Sequence, residues 1–181
     1  MFWKENSYDC VKMYVTQIAI SLFGFSLALA CARIPILEIL TSVMAIVFYL
    51  VLLYIAAWKI GFKHHNAREH GKPDIPLRGL LISLVANIPN FLLATLYAIG
   101  TPWKEEWAGG FCYVVRTIML LTEGMYEGIL AEFWISGERL REFWWPFFLI
   151  IIPALLATWM GYELGLRDLR IIQSNNNTKK S

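Results

Sequence analysis

Apolar residues do not alternate with polar ones along this chain; they come in blocks. Four windows, Met13–Ala32, Ile39–Trp58, Gly79–Trp103 and Phe143–Tyr162, carry no charged residue. Each holds the roughly 20 helical residues that cross a hydrocarbon layer of about 30 Å. A segment in lipid must satisfy its backbone hydrogen bonds internally, which leaves helices or a closed barrel. Continuous runs such as Leu149-Ile150-Ile151-Ile152 lack the alternation of a barrel strand. The pattern therefore predicts helices over 11–32, 35–60, 78–101 and 143–165. Pro35 and Pro146 stand near helix starts, where a missing N–H costs nothing. Trp58, Trp103, Trp107, Trp144, Trp145 and Tyr162 flank the windows as interfacial aromatics do. Pro89 lies inside the third window and predicts a bend around Asn87-Ile88-Pro89-Asn90.

A fifth stretch, Phe111 to Ile135, reads differently. It predicts a helix over 110–135 but contains Arg116, Glu123, Glu127 and Glu132. Helical spacing places Arg116, Glu123 and Glu127 on one face, with Val115, Ile118, Leu121, Met125 and Ile129 on the other. Such a helix either crosses with its polar face turned inward, or stays re-entrant or interfacial. Its length and its glycine motif favour crossing. The expected fold is all-α: a multi-pass transmembrane helical bundle of five hydrophobic helices, four of them spans and the fourth amphipathic. It forms a single domain over 1–172, followed by a disordered polar tail over 173–181.

Composition supports lipid as the solvent. Only 17% of residues are charged, against about a quarter in soluble domains. A net charge of +2 gives no basic face for nucleic acid. The basic residues orient the bundle instead. Lys59, Lys63, Arg68, Lys72 and Arg78 crowd the loop after the second helix, which predicts a cytoplasmic loop and N-terminus in a cell membrane. The same five suit anionic headgroups. With four crossings, eleven of the sixteen Lys and Arg residues fall on that side and five on the other. With five crossings the counts are nine and six, so charge alone favours four.

Candidate chemistry is sparse. His64, His65 and His70 fit no metal-ligand spacing, and the neighbouring lysines repel cations, so no metal or cofactor is expected. Cys10, Cys31 and Cys112 show no paired spacing and read as free thiols. No nucleophile–base pattern or Walker lysine is visible, which argues against an enzyme. Small residues recur at four-residue spacing: Gly24, Ala28 and Ala32 in the first helix, then Gly124 with Gly128 and Gly161 with Gly165. They allow close helix approach, within the chain or in a homodimer or membrane complex.

One constellation remains. Gln17, Asn87, Asn90, Arg116, Glu123 and Glu127 lie at membrane depth. An ionised side chain at the bilayer centre costs from about 2.5 kcal/mol upward, so it requires a partner or water. If water reaches it, the set forms a polar cavity for a small solute, a cation or protons, as in a transport or transport-accessory protein. If Arg116 pairs with a glutamate in a dry bundle, the same residues only assemble helices, as in a structural or regulatory subunit.

The runs Gln17-Ile-Ala-Ile-Ser-Leu-Phe-Gly24, Phe48-Tyr-Leu-Val-Leu-Leu-Tyr54 and Leu80-Leu-Ile-Ser-Leu-Val-Ala-Asn-Ile-Pro-Asn90 resemble a group of small multi-pass bacterial membrane proteins without assigned activity. The resemblance covers most of the first three helices and extends to the Gly161-Tyr-Glu-Leu-Gly165 end. It implies a bacterial inner membrane and no particular chemistry.

Overall fold

The fold is seen in a computed structural model that describes residues 2–31, 34–69, 77–101 and 106–169. Three long helices open it: α1 (Phe2–Cys31), α2 (Pro35–Glu69) and α3 (Arg78–Gly100). The first two run well past their charge-free windows. In α1 the reason is a packing face that continues toward the N-terminus. Asn6, Cys10, Met13, Gln17, Ser21, Gly24 and Ala28 recur every three or four residues, and all are buried. α3 stays one helix through Pro89, which removes only the bond to the Val85 carbonyl.

The last apolar window forms α6 (Pro146–Leu149) and α7 (Ile151–Leu166), a single span interrupted at Ile150. Pro153 has no N–H to give the Leu149 carbonyl, so the first turn stands apart. Four helices, Asn6–Cys31, Pro35–Arg68, Arg78–Gly100 and Pro146–Leu166, are long and apolar enough to cross a membrane. The protein is a helical membrane bundle. The α1 start, the α2 end, the α3 start and the α7 end share one face of it, here the proximal face; the other is the distal face. The tail and Lys72 lie outside the described residues, as does Ala32.

The tightest seam joins α2 to α7. A Cβ on Gly161 would meet the Tyr54 carbonyl oxygen at 2.5 Å, and one on Gly165 would overlap the Trp58 carbonyl. Gly61 answers from α2 against the Tyr162 carbonyl. At the proximal face three polar contacts clasp the pair. Trp58 Nε1 donates to the Leu169 carbonyl at 2.8 Å, and His65 Nδ1 to that of Leu166 at 2.9 Å. His64 Nδ1 lies 3.1 Å from the Tyr162 hydroxyl. The two histidines therefore act as helix ties. The glycine motifs are used inside this chain: Gly24 backs onto Met125 and Gly124 onto Phe25.

Outward-facing positions carry large apolar side chains such as Ile36, Met44, Leu92, Ile99 and Leu156. Hydroxyls on the same surface are hidden from lipid by bonding back into their own helix. Thr16, Ser26, Thr41, Thr95 and Thr117 each donate to the carbonyl four residues earlier at 2.8 Å. The three cysteines are free thiols.

Candidate functional site

The fifth stretch does not form the crossing helix that its length suggested. α4 (Glu106–Glu123) starts at the distal face, where Cys112 Sγ packs on Gly100 at the end of α3. It descends beside α3 and α1 and stops at Glu123, whose backbone (φ −134°, ψ 14°) leaves the helical region. A 3-10 turn, Gly124–Tyr126, reverses direction, and α5 (Glu127–Glu132) climbs back along α2.

Two serines mark the depths of this path. The Gly124 N–H donates to Ser21 Oγ at 2.6 Å, and the Gly128 N–H to Ser42 Oγ at 3.1 Å. Ser21 lies ten residues, about 15 Å, below the distal end of α1. Ser42 lies seven residues, about 10 Å, from the distal end of α2. The segment is thus a re-entrant hairpin with its tip halfway through the bundle. Backbone that leaves the helix at membrane depth survives only where protein satisfies it, and the two serine hydroxyls do so. Ser21→Ala should therefore lower stability by about 1–3 kcal/mol by stranding a buried N–H. An unchanged thermal midpoint in detergent would show that the hydroxyl is not the needed partner.

Above α5 the chain forms a small hairpin on the distal side. Strands β1 (Trp134–Ile135) and β2 (Glu138–Arg139) pair antiparallel, Trp134 opposite Arg139. Ser136 and Gly137 both take positive φ, 56° and 89°, as a tight two-residue turn requires. The Arg139 guanidinium sits 5.3 Å from the centre of the Trp134 ring.

The helix break divides the expected polar stripe. Arg116, Glu123 and Glu127 do not share a face, and Arg116 pairs with neither glutamate. Arg116 lies 3.5 Å from Glu142, and Glu127 lies 3.0 Å from Arg141, which also reaches Glu142 at 3.5 Å. These residues form a distal cluster. Beside it a cavity of about 470 Å³ opens between α1 and α4, lined also by Phe25, Leu29, Tyr113, Leu120 and Glu38.

Glu123 goes elsewhere. It is 6% exposed at the hairpin tip, and neither carboxylate oxygen has a hydrogen-bond partner. Ser21 flanks it, and Gln17, one turn below Ser21, is 1% exposed with both amide atoms also unpartnered.

α3 supplies the continuation. Asn90 Nδ2 donates to Asn87 Oδ1 at 3.3 Å, and Asn87 Nδ2 to the Ser83 carbonyl at 2.9 Å. Asn90 Oδ1 and Ser83 Oγ have no partner. At the proximal end Arg78 Nε donates to Asn6 Oδ1 at 3.1 Å. From that shared rung Asn90 stands about 18 Å higher on α3, and Gln17 about 16 Å higher on α1. By the same measure Ser21, beside the tip, stands about 22 Å and Asn87 about 14 Å above the rung, so the three amides lie roughly 5–9 Å below the Glu123 tip. Buried polar side chains on α1 and α3 thus form a column below that tip, from Gln17 and Asn90 down to Asn6 and Arg78 at the proximal face.

Arg78 is a correction: it is 7% exposed, a rung of this column, and does not face headgroups. Lys59, Lys63 and Arg68 stand on the exposed flank of α2, Lys63 being 3.8 Å from Asp9. Ser21, Ser42, Glu38 and Arg141 escaped the sequence reading. Ser21 carried a signal, because it lies one turn from Gln17 and on the face of Gly24 and Ala28. Among the described residues no three His, Cys, Asp or Glu side chains converge as a metal site would require. What the arrangement offers is a buried, unpartnered carboxyl group at the hairpin tip, above a column of buried polar side chains and outside the lining of the distal cavity. No family model, curated protein or solved structure matches this chain, so its function is argued from these residues alone.

Proposed function

We propose that this chain is a small transporter, or the conducting subunit of one, that passes a small cation or protons across a bacterial cell membrane. The observation that carries the reading is Glu123, a buried carboxyl group with both oxygens unpartnered beside an unpartnered Gln17. An ionisable residue within a membrane bundle is expensive to keep and marks ion or proton paths. Its place at the tip of a re-entrant hairpin adds support, because non-helical backbone at membrane depth lines such paths.

In this reading Glu123 holds the cation or proton, and Gln17 and Asn90 contribute neutral oxygens. Asn87 and Ser83 lead onward to the proximal face. Proteoliposome uptake of monovalent cations and of protons is the direct test, and no flux from the parent protein would end the proposal. The structural-subunit reading has less support, since Gly24, Gly124, Gly128, Gly161 and Gly165 are covered by this chain's own residues.

Orientation is part of the proposal. Four spans leave eleven of the sixteen basic residues on the proximal side, which makes that side cytoplasmic and apposes Lys59, Lys63 and Arg68 to anionic headgroups. A single cysteine at Ser136, in the otherwise cysteine-free parent, should react with an impermeant maleimide on intact cells. One at Lys59 should react only after permeabilisation. The reverse pattern would invert the topology.

A further inference from the structure

We infer that the distal cavity binds an amphiphilic ammonium compound, one cationic nitrogen on an apolar body, admitted sideways from the lipid. This goes beyond transport, since the cavity would hold such a molecule whether or not anything crosses.

The charge pattern selects the sign of the ligand. Both arginines at the cavity are held by carboxylates, Arg141 by Glu127 and Arg116 by Glu142. An anion would have to break those pairs. Glu38 is different: it lines the cavity, is 6% exposed, and forms no ion pair or side-chain hydrogen bond among the described residues. It is a carboxylate more than nine-tenths buried whose opening is the cavity itself. An ionised carboxylate so buried requires a cation, and the two arginines nearest it are engaged elsewhere, Arg141 by Glu127 and Arg139 by the Trp134 ring.

The walls select the rest of the molecule. Phe25, Leu29 and Leu120 are apolar, and Phe25 and Tyr113 offer aromatic faces of the kind that attract an ammonium group. A hydrated inorganic ion would gain nothing from such walls. A volume of about 470 Å³ accommodates a head group and part of an alkyl chain. The mouth opens toward lipid, because Leu29 and Tyr113 on its two sides are 61% and 73% exposed on the apolar surface.

The test is binding of dodecylammonium to the purified protein in dodecyl maltoside micelles, with dodecanol as the neutral partner. The cation should bind at least tenfold more tightly than the alcohol. Glu38→Gln should remove that tenfold difference and leave alcohol binding unchanged. Thr117→Trp, placed at the exposed rim, should obstruct both ligands while the protein keeps its thermal midpoint. Equal binding of cation and alcohol by the parent, or an unaltered cation preference in Glu38→Gln, would overturn the inference. Short-chain phosphatidylethanolamine added to the micelles separates two sources of the same chemistry. Competition would support the site and name a bilayer lipid as its occupant; no competition would support a free amphiphile. Ammonium binding without flux would retire only the transport proposal, and flux without ammonium binding only this one.

Discussion

Proteoliposomes carrying Glu123→Gln should lose cation and proton flux entirely, while the protein unfolds no earlier than the parent. The substitution keeps the shape of the side chain and removes its capacity to bind a proton or a cation. The exchange breaks no existing hydrogen bond, because neither carboxylate oxygen accepts one. Keeping an unpaired ionised group buried costs several kcal/mol, so the neutral amide should leave the thermal midpoint equal or higher. Flux lost together with a lower midpoint would point to a structural role for Glu123. Unchanged flux would remove Glu123 from the path.

Gly165→Ala should destabilise the bundle by about 3 kcal/mol, at the upper end of overpacking losses. The added methyl would overlap the Trp58 carbonyl and come within 3.0 Å of the Phe62 nitrogen. Both are backbone atoms of α2, so no side-chain rotation can make room. α2 and α7 must separate, and that loosens the Trp58 and His65 clasps as well. Gly110→Ala is the matched control. Nothing lies within 4 Å of its Cβ position, and alanine is the better helix former by about 1 kcal/mol. Thermal unfolding in one detergent compares them. Equal midpoints for the two variants would deny the α2–α7 seam its importance.

Charge-free length made the four spans legible, because lipid demands it of any helix that crosses. Helix ends were less legible. α1 and α2 continue into polar residues because tertiary partners, such as Arg78 for Asn6 and Leu166 for His65, replace the lipid. The hairpin was hidden for a related reason. Helical spacing is a local rule, and it joined Glu123 to Glu127 as though the intervening glycine were an ordinary helical residue. What breaks the helix there is distant in the chain: Ser21 and Ser42 receive the N–H groups of Gly124 and Gly128. Gln17, Asn87, Asn90 and Glu123 are therefore legible as buried polar residues at membrane depth. Arg116 and Glu127 do not join them, since their partners Glu142 and Arg141 come from a connection with no periodic signal.

The halfway tip has an electrical meaning. A charge at Glu123 stands partway through the voltage drop of an energised membrane, which acts on a full crossing with about 2.3 kcal/mol per 100 mV. Half of that drop, about 1 kcal/mol, weights the charged against the neutral state of the carboxyl group. If Glu123 exchanges its proton with one side only, energised and collapsed membranes would populate its two states differently. In the proposed transporter, a hairpin that ends midway would make the occupancy of Glu123 depend on voltage.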